Sequence, residues 1–430
     1  MLREGRIMPY RDGLGSSTVK SSTLKNNAAR NGTSTSSAAP CGGPLHGVTI
    51  IDMTAIAMGP FGTQYLGDMG AEVIKIEPPE GDVFRWVKPS RHDSMSPPYL
   101  NLNRNKRSIV LDAKSDAGKA AILAMVAQAD VFVSNVRPQA MRRLGLDYPA
   151  LQAINPRLIY CGCYGYSEDG PYAGRAAVDD AIQAASGFAH FQGYGLDGPR
   201  FANTVVADKV VGLHVSQAIS MALYAREKTG RGQFVEVPMF ECMVSFVMPE
   251  HFGGLSFEPA LGDAGYARLL NPYRKPFKTS DGWVTVVPYN DHQWRRFFAF
   301  AGQPQMIDDP RYATVLARSN CFAELYKFIA DTLAVRTTAE CLAAFEAAQL
   351  PFAQVNTPSQ LLEDPHLQAI GYWQHFEHPT EGRLCAPGIP VKFSDTPGSI
   401  RRHAPNLGEH TEEVLREFGL PQPGLPRRDV

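Results

Sequence analysis

From Leu45 onward, short runs of β-branched and aliphatic residues alternate with longer stretches whose apolar residues recur at helical spacing. Val48-Thr-Ile-Ile-Asp52 has the continuous apolar character of a strand covered on both faces. Gly59-Pro60 opens a helix over residues 61–69, closed by Gly70, and Ala71-Glu-Val-Ile-Lys-Ile-Glu77 is the next strand. This is a β-α-β unit, which implies a parallel sheet. Residues 108–112, 131–134 and 158–163 continue the series as strands, with a helix over about 115–129. Together they predict an open α/β sheet. No G-x-G-x-x-G follows the first strand, which argues against a dinucleotide site. Residues 187–206 read as loop, 212–227 as a helix closed by Lys228-Thr-Gly-Arg-Gly232, and 234–237 as the last strand of this half. Residues 251–275 read as an irregular linker. A smaller α/β region opens with a strand at 283–287 and continues through helices near 293–301 and 339–348. Pro and Gly become frequent again from about 371, and a helix is predicted at 411–418. There is no internal repeat.

The 430 residues are 44% hydrophobic and 20% charged, enough for a large core and more than one domain. The net charge of -1 gives no reason to expect nucleic acid or an anionic membrane as partner. No apolar run approaches the roughly 18 residues of a spanning helix. The seven cysteines are scattered, and Cys161-Gly-Cys163 fits one face of a buried strand better than a metal site, so a reduced, cytoplasmic setting is expected. The first 43 residues are poor in large apolar side chains and are expected to be a disordered tail. Basic residues exceed acidic ones there, as in a transit peptide, but Glu4, Asp12 and the lack of an amphipathic stripe favour a dispensable tail or a start read too early.

The candidate chemistry centres on Phe201-Ala-Asn-Thr-Val-Val-Ala-Asp208-Lys-Val-Val-Gly212. Asp208 stands between a small apolar, strand-like run and a segment able to start a helix. On local sequence the plainer reading is an N-capping aspartate. The other is a nucleophile held ionised at neutral pH by helix N-terminal amides.

The rest of the chain decides between them. Gly59-Pro-Phe with Leu66-Gly-Asp-Met-Gly-Ala-Glu-Val-Ile-Lys-Ile-Glu77, Asn103-Arg-Asn-Lys-Arg-Ser108, and Ala129-Asp-Val-Phe-Val-Ser-Asn-Val-Arg-Pro138 come first. They are followed by Arg143-Leu-Gly-Leu146, Asn155-Pro-Arg-Leu-Ile-Tyr160, Gly170-Pro-Tyr-Ala-Gly-Arg175, Lys228-Thr-Gly-Arg-Gly-Gln233 and Gly408-Glu-His-Thr411. In this order and spacing, from about Leu45 to Leu420, they resemble the class III CoA-transferases, the family of formyl-CoA transferase, carnitine CoA-transferase and α-methylacyl-CoA racemase.

The resemblance implies that Asp208 attacks a donor thioester, passes through a mixed anhydride and carries CoA as an aspartyl thioester, with nearby backbone amides stabilising the oxyanion. Coenzyme A or acyl-CoA would be the substrate, with no tightly bound cofactor and no metal. Its implied contacts are Asn135, Val136 and Arg143. The basic turn Arg104, Lys106, Arg107 offers donors for phosphate, though solvated surface charge is the bland reading. Ala57 stands where the formyl enzyme has Gln. Asp179 matches a Glu near that enzyme's active site; substrate positioning and helix capping are both open to it. The racemases place a His just before it, and here that place holds Val178, which cannot carry a proton. An acyl-CoA racemase or isomerase is therefore the alternative rather than the first reading, and a non-catalytic CoA-binding protein has no need of Asp208. The formyl enzyme's glycine-rich flap is replaced by Gly265-Tyr-Ala-Arg-Leu-Leu-Asn-Pro272. Arg268, with Tyr266 and Arg274, could meet the free carboxylate of a dicarboxylic acyl group, which suggests succinyl-CoA as donor.

The implied fold is a Rossmann-like large α/β domain, residues 44–240 plus 371–423, with a smaller α/β domain at 255–350 inserted through linkers. The implied assembly is an interlocked homodimer, its active site near the partner's small domain.

Overall fold

The computed structural model describes residues 42–421. The expected tail therefore lies outside the described residues except for Gly42 and Gly43. Gly43 is already buried, and Leu45 N–H donates to Met69 O at 2.9 Å, so order begins slightly before Leu45.

Six strands form one parallel sheet: β1 (Thr49–Met53), β2 (Glu72–Glu77), β3 (Lys106–Val110), β4 (Val131–Ser134), β5 (Ile159–Tyr164) and β6 (Phe234–Pro238). Their spatial order is β3-β2-β1-β4-β5-β6, with every neighbouring pair parallel. The order reverses between β1 and β4, which makes their C-terminal ends the place where such sheets open a crevice. Alternating residues feed two cores, as the two-residue period of a strand requires. Ile50, Val73 and Val131 pack on one face with Val211, Val215 and Ile219 of the helix Val206–Thr229. Ile51, Ile74 and Phe132 pack on the other with Ile122 and Met125 of the helix Asp116–Val126. Val414 and Leu415, on the helix Thr411–Glu417, join this second core, so the end of the described chain returns to the sheet. Local signals fix several ends: the Ser115 hydroxyl accepts Gly118 N–H at 3.0 Å to start one helix, and Gly230 at φ 71° stops another.

A separate core lies on a three-stranded antiparallel sheet of β7 (Phe277–Lys278), β8 (Trp283–Val286) and β9 (Phe352–Gln354), where Val284 and Val286 meet Phe297, Ile329 and Phe345. Between them run helices Asp291–Phe300, Phe322–Ala334 and Thr338–Ala347. β10 (Trp373–His378) and β11 (Gly382–Pro387) then pair as an antiparallel hairpin.

The structure departs from the sequence-based expectation in four elements. Residues 201–205 are loop, as read, but the helix expected from 212 begins at Val206. Met239–His251 is a helix despite Pro249. Phe322–Ala334 is a helix that the pattern reading passed over. The Gly- and Pro-rich segment after 371 contains the β10–β11 hairpin.

The helices Met58–Asp68 and Val206–Thr229 touch at two glycines. A Cβ on Gly212 would stand 2.7 Å from Met58 O, and one on Gly62 2.7 Å from Gly212 O. Neither contact can yield cheaply, because both are to backbone. Gly212→Ala should therefore cost about 1–3 kcal/mol, read as a lowered denaturation midpoint. An unchanged midpoint would show that the two helices separate freely.

Candidate active site

Asp208 lies in the first turn of the helix Val206–Thr229, one turn ahead of that glycine contact. It does not cap the helix. The N-cap is Val205, whose side chain has no hydrogen-bond acceptor, and the capping is done from elsewhere: Asp208 N–H donates to Asp179 Oδ1 at 3.0 Å. Asp179 is the first residue of a different helix, Asp179–Ala185, so one carboxylate ties two helix N-termini together. Its Oδ2 accepts Gln183 Nε2 at 2.5 Å. Both aspartates are nearly buried, Asp208 at 9% and Asp179 at 7% exposure. The Asp208 amide, being occupied by Asp179, is not among the donors open to a developing oxyanion.

The electrostatics reverse one expectation. Burial and then the Asp179 charge push the Asp208 carboxyl up to about 7, outweighing the helix terminus. A carboxylate so raised is a stronger nucleophile when ionised and is ionised less often near neutrality.

At the β1/β4 reversal, Asn135 bridges the two strand ends. Its Nδ2 donates to Ala55 O at 2.8 Å and its Oδ1 accepts Ala55 N–H at 3.1 Å. Asn135 and Val136 line a cavity of about 400 Å³ with Met53, Glu77, Asp82 and Lys114. Leu144 closes it, and the neighbouring Arg143 is exposed. The β1 turn that forms one wall is strained: Ile56 has φ 72°, costly for a β-branched residue, and its N–H is held by Asp82 Oδ1 at 3.0 Å.

The basic turn expected to meet phosphate is turned inward. Arg104 is paired with Asp68 at 2.7 Å, Lys106 with Asp52 at 3.1 Å, and Arg107 with Glu72 at 2.5 Å as well as Glu413 and Glu417. All three are buried. Arginine and lysine in that state brace the fold, their charges already met by carboxylates. Sequence reading missed the network they belong to. Asp52 also accepts the Thr54 and Thr63 hydroxyls, while Lys75 donates to Thr54 O at 2.7 Å and to Asp82 at 2.9 Å. Burial alone would raise Asp52, but two ammonium groups and two hydroxyls hold it down to about 2. Burial, reinforced by the second cation Lys75, pushes Lys106 down to about 8 against the opposing pull of Asp52.

Among the described residues, no contact brings Arg268 to Asp208. It borders a cavity of about 300 Å³ lined by residues of the small α/β region. Its Nε donates to Tyr326 Oη at 3.1 Å and its Nη1 to Tyr289 Oη at 3.0 Å, with the guanidinium over the Tyr289 ring. Tyr266 borders the same cavity, whereas Arg274 borders a different one. Val178 is exposed directly before Asp179. Gln183 was also missed; its i,i+4 spacing from Asp179 on a helix is the signal that could have found it. Among the described residues, no group of three or more His, Cys, Asp or Glu side chains is placed to hold a metal, and no helix is long and apolar enough to cross a membrane.

The model of CoA-transferase family III matches residues 45–411, which takes in Asn135, Asp179, Asp208 and Arg268. The chain belongs to that family. It is 34% identical over 378 residues to succinyl-CoA:glutarate CoA-transferase of Homo sapiens, covering 87% of this chain and 86% of that one. It is 32% identical to formyl-CoA:oxalate CoA-transferase of Streptomyces coelicolor, with 87% and 95% covered. The crystal structure of a CAIB/BAIF family protein from Brucella suis superposes with a TM-score of 0.75 at 30% identity, covering 88% of this chain and 100% of that chain. A family III CoA-transferase is an enzyme that moves CoA from a thioester to a carboxylic acid, and this chain is one.

For such an enzyme the raised Asp208 pKa has a direct consequence. If Asp208 is the group that attacks the thioester, CoA transfer should fall as pH drops through about 7, because its carboxylate becomes protonated. Asp179→Asn keeps an acceptor for the Asp208 amide and removes the like charge, so the acid limb of the rate profile should move to lower pH. A limb that stays in place would mean that burial alone sets it.

Proposed function

We propose that this CoA-transferase takes CoA from succinyl-CoA, or a similar dicarboxylic acyl-CoA, and delivers it to a small dicarboxylic acid through an aspartyl-CoA thioester on Asp208. The observation that carries this reading is the placement of Asp208. It is a nearly buried carboxylate at a helix N-terminus, held by Asp179 and without a proton-carrying side chain at position 178.

The steps balance without an outside reagent. An Asp208 oxygen bonds to the thioester carbonyl, the C–S bond breaks, and CoA leaves as thiolate. The thiolate bonds to Asp208 Cγ, the anhydride C–O bond breaks, and the donor acid departs as carboxylate. The acceptor carboxylate and the thiolate then repeat the two exchanges in reverse, restoring Asp208. No net proton is transferred.

CoA enters over the β1/β4 reversal. We retain Asn135, Val136 and Arg143 as its contacts and give Arg104, Lys106 and Arg107 a structural role. The chain acts as an interlocked homodimer in a reduced, cytoplasmic setting, with residues 255–350 as the inserted small domain between the 44–240 and 371–423 parts of the large one. The partner subunit's Arg268 supplies the cation for the substrate's second carboxylate. Arg268 suits that task because it is fixed by two tyrosine hydroxyls and makes no ion pair among the described contacts. The named succinyl-CoA:glutarate relative supports the same substrate class.

Arg268→Ala should raise KM for dicarboxylic acceptors about 10- to 100-fold, the range of one charge-assisted hydrogen bond, with little change for monocarboxylic acids. Equal rates with both acid classes, unaltered in Arg268→Ala, would remove the dicarboxylate assignment.

A further inference from the structure

Gln183 is a wholly buried amide on the helix that carries Asp179, and the transfer chemistry described above gives it no part. Both ends of its side chain are engaged. Oε1 accepts Ala202 N–H at 2.9 Å, and Nε2 donates to Asp179 Oδ2 at 2.5 Å. The orientation of the amide is set by its surroundings: a backbone N–H can only donate, so the atom facing Ala202 is the oxygen and the nitrogen must face Asp179. A continuous chain of hydrogen bonds therefore runs from the loop 199–205, through Gln183 and Asp179, to the Asp208 amide.

Each link is needed by the next. A buried carboxylate oxygen without a donor is costly. Without Gln183, Asp179 would turn in search of another donor and release the Asp208 amide. The loop 199–205 would also lose its tie to the Asp179 helix just before the chain enters the Val206–Thr229 helix.

We propose that Gln183 is a positioning residue that fixes the Asp179 carboxylate and, through it, the helical turn presenting Asp208. The proposal rests on the reading of Asp208 as nucleophile.

The test is a donor–acceptor swap. Gln183→Glu keeps the acceptor for Ala202 and sets two carboxylates face to face. Asp179→Asn keeps an acceptor for Asp208 and sets two amide nitrogens face to face. The double variant restores a complementary pair, with the introduced asparagine donating to the introduced glutamate, and keeps the local charge. Each single change should lower kcat about 10- to 100-fold, the scale of a misplaced reacting group, with KM for acyl-CoA little altered. The double variant should return to within about 5-fold of wild type, the non-additivity expected of directly coupled residues. A double variant whose loss equals the product of the two singles would overturn the proposal. Gln183→Met keeps the volume and adds no charge, so it decides the matter should Gln183→Glu fail to fold. A kcat for Gln183→Met within about 2-fold of wild type would overturn the positioning role, and a 10- to 100-fold loss at unaltered KM upholds it. Asp208→Ala, run alongside, separates the two ideas. If it keeps its rate, the nucleophile reading fails; if it loses activity while Gln183→Met does not, only the role of Gln183 fails.

Discussion

Asp208→Ala should lower CoA transfer by about four orders of magnitude or more, because removing a covalent nucleophile leaves only binding and general electrostatics. The folded enzyme should survive the change and gain stability. Ionised Asp208 is a cost to the fold, absent below the ordinary carboxyl value of 3.8, growing between 3.8 and about 7, and complete above about 7. Asp208→Asn, which keeps the shape, should therefore denature later than wild type at about pH 8, with the gap closing as pH falls toward 4. That is the trade expected where function requires a charge the interior disfavours. An Asp208→Ala enzyme within about tenfold of wild-type activity, or an Asn variant less stable at high pH, would contradict this account.

Lys106→Met should destabilise the enzyme by about 3–5 kcal/mol, the usual cost of leaving one member of a buried pair behind. Lys106 donates to Asp52, Pro60 O and Asn103 Oδ1, and both members of the ion pair are fully buried. The loss would strip Asp52 of its closest cation beneath the strained turn at Ile56. Adding Asp52→Asn should recover much of the loss, since a neutral pair has far less to compensate. The measurement is the shift in denaturation midpoint of the two singles and the double. Were Lys106 a phosphate contact instead, Lys106→Met would raise KM for acyl-CoA and leave the midpoint within about 0.5 kcal/mol of wild type.

These cations show where sequence stops being informative. Asn103-Arg-Asn-Lys-Arg-Ser108 looks like a basic turn because its carboxylate partners are distant in the chain, Asp52, Asp68 and Glu72 much earlier and Glu413 and Glu417 much later. Only the β3-β2-β1 order brings the three earlier ones to it. Central strands such as Thr49–Met53 and Val131–Ser134, by contrast, were legible because burial on both faces favours near-continuous apolar runs. The start of the helix carrying Asp208 was not. Thr204-Val-Val206 favours strand locally, and what makes Val206 helical is the Asp179 carboxylate arriving from another helix to take the Asp208 amide. Met239–His251 went unread; its one proline, Pro249, stands in the last turn, where most of the helix is already formed. Asp208 itself was found through the family motifs rather than through local pattern, which favoured a simple cap.

The most direct test of the central claim is mass spectrometry of the protein after incubation with succinyl-CoA and then hydroxylamine, on wild type and Asp208→Ala. Hydroxylamine displaces CoA from an aspartyl thioester and leaves a hydroxamate. The account predicts that hydroxamate on the wild-type peptide containing Asp208 and its absence in the variant. No adduct with any of a panel of acyl-CoA donors, together with solvent deuterium entering the acyl α-carbon, would contradict the transferase mechanism and point to the racemase instead.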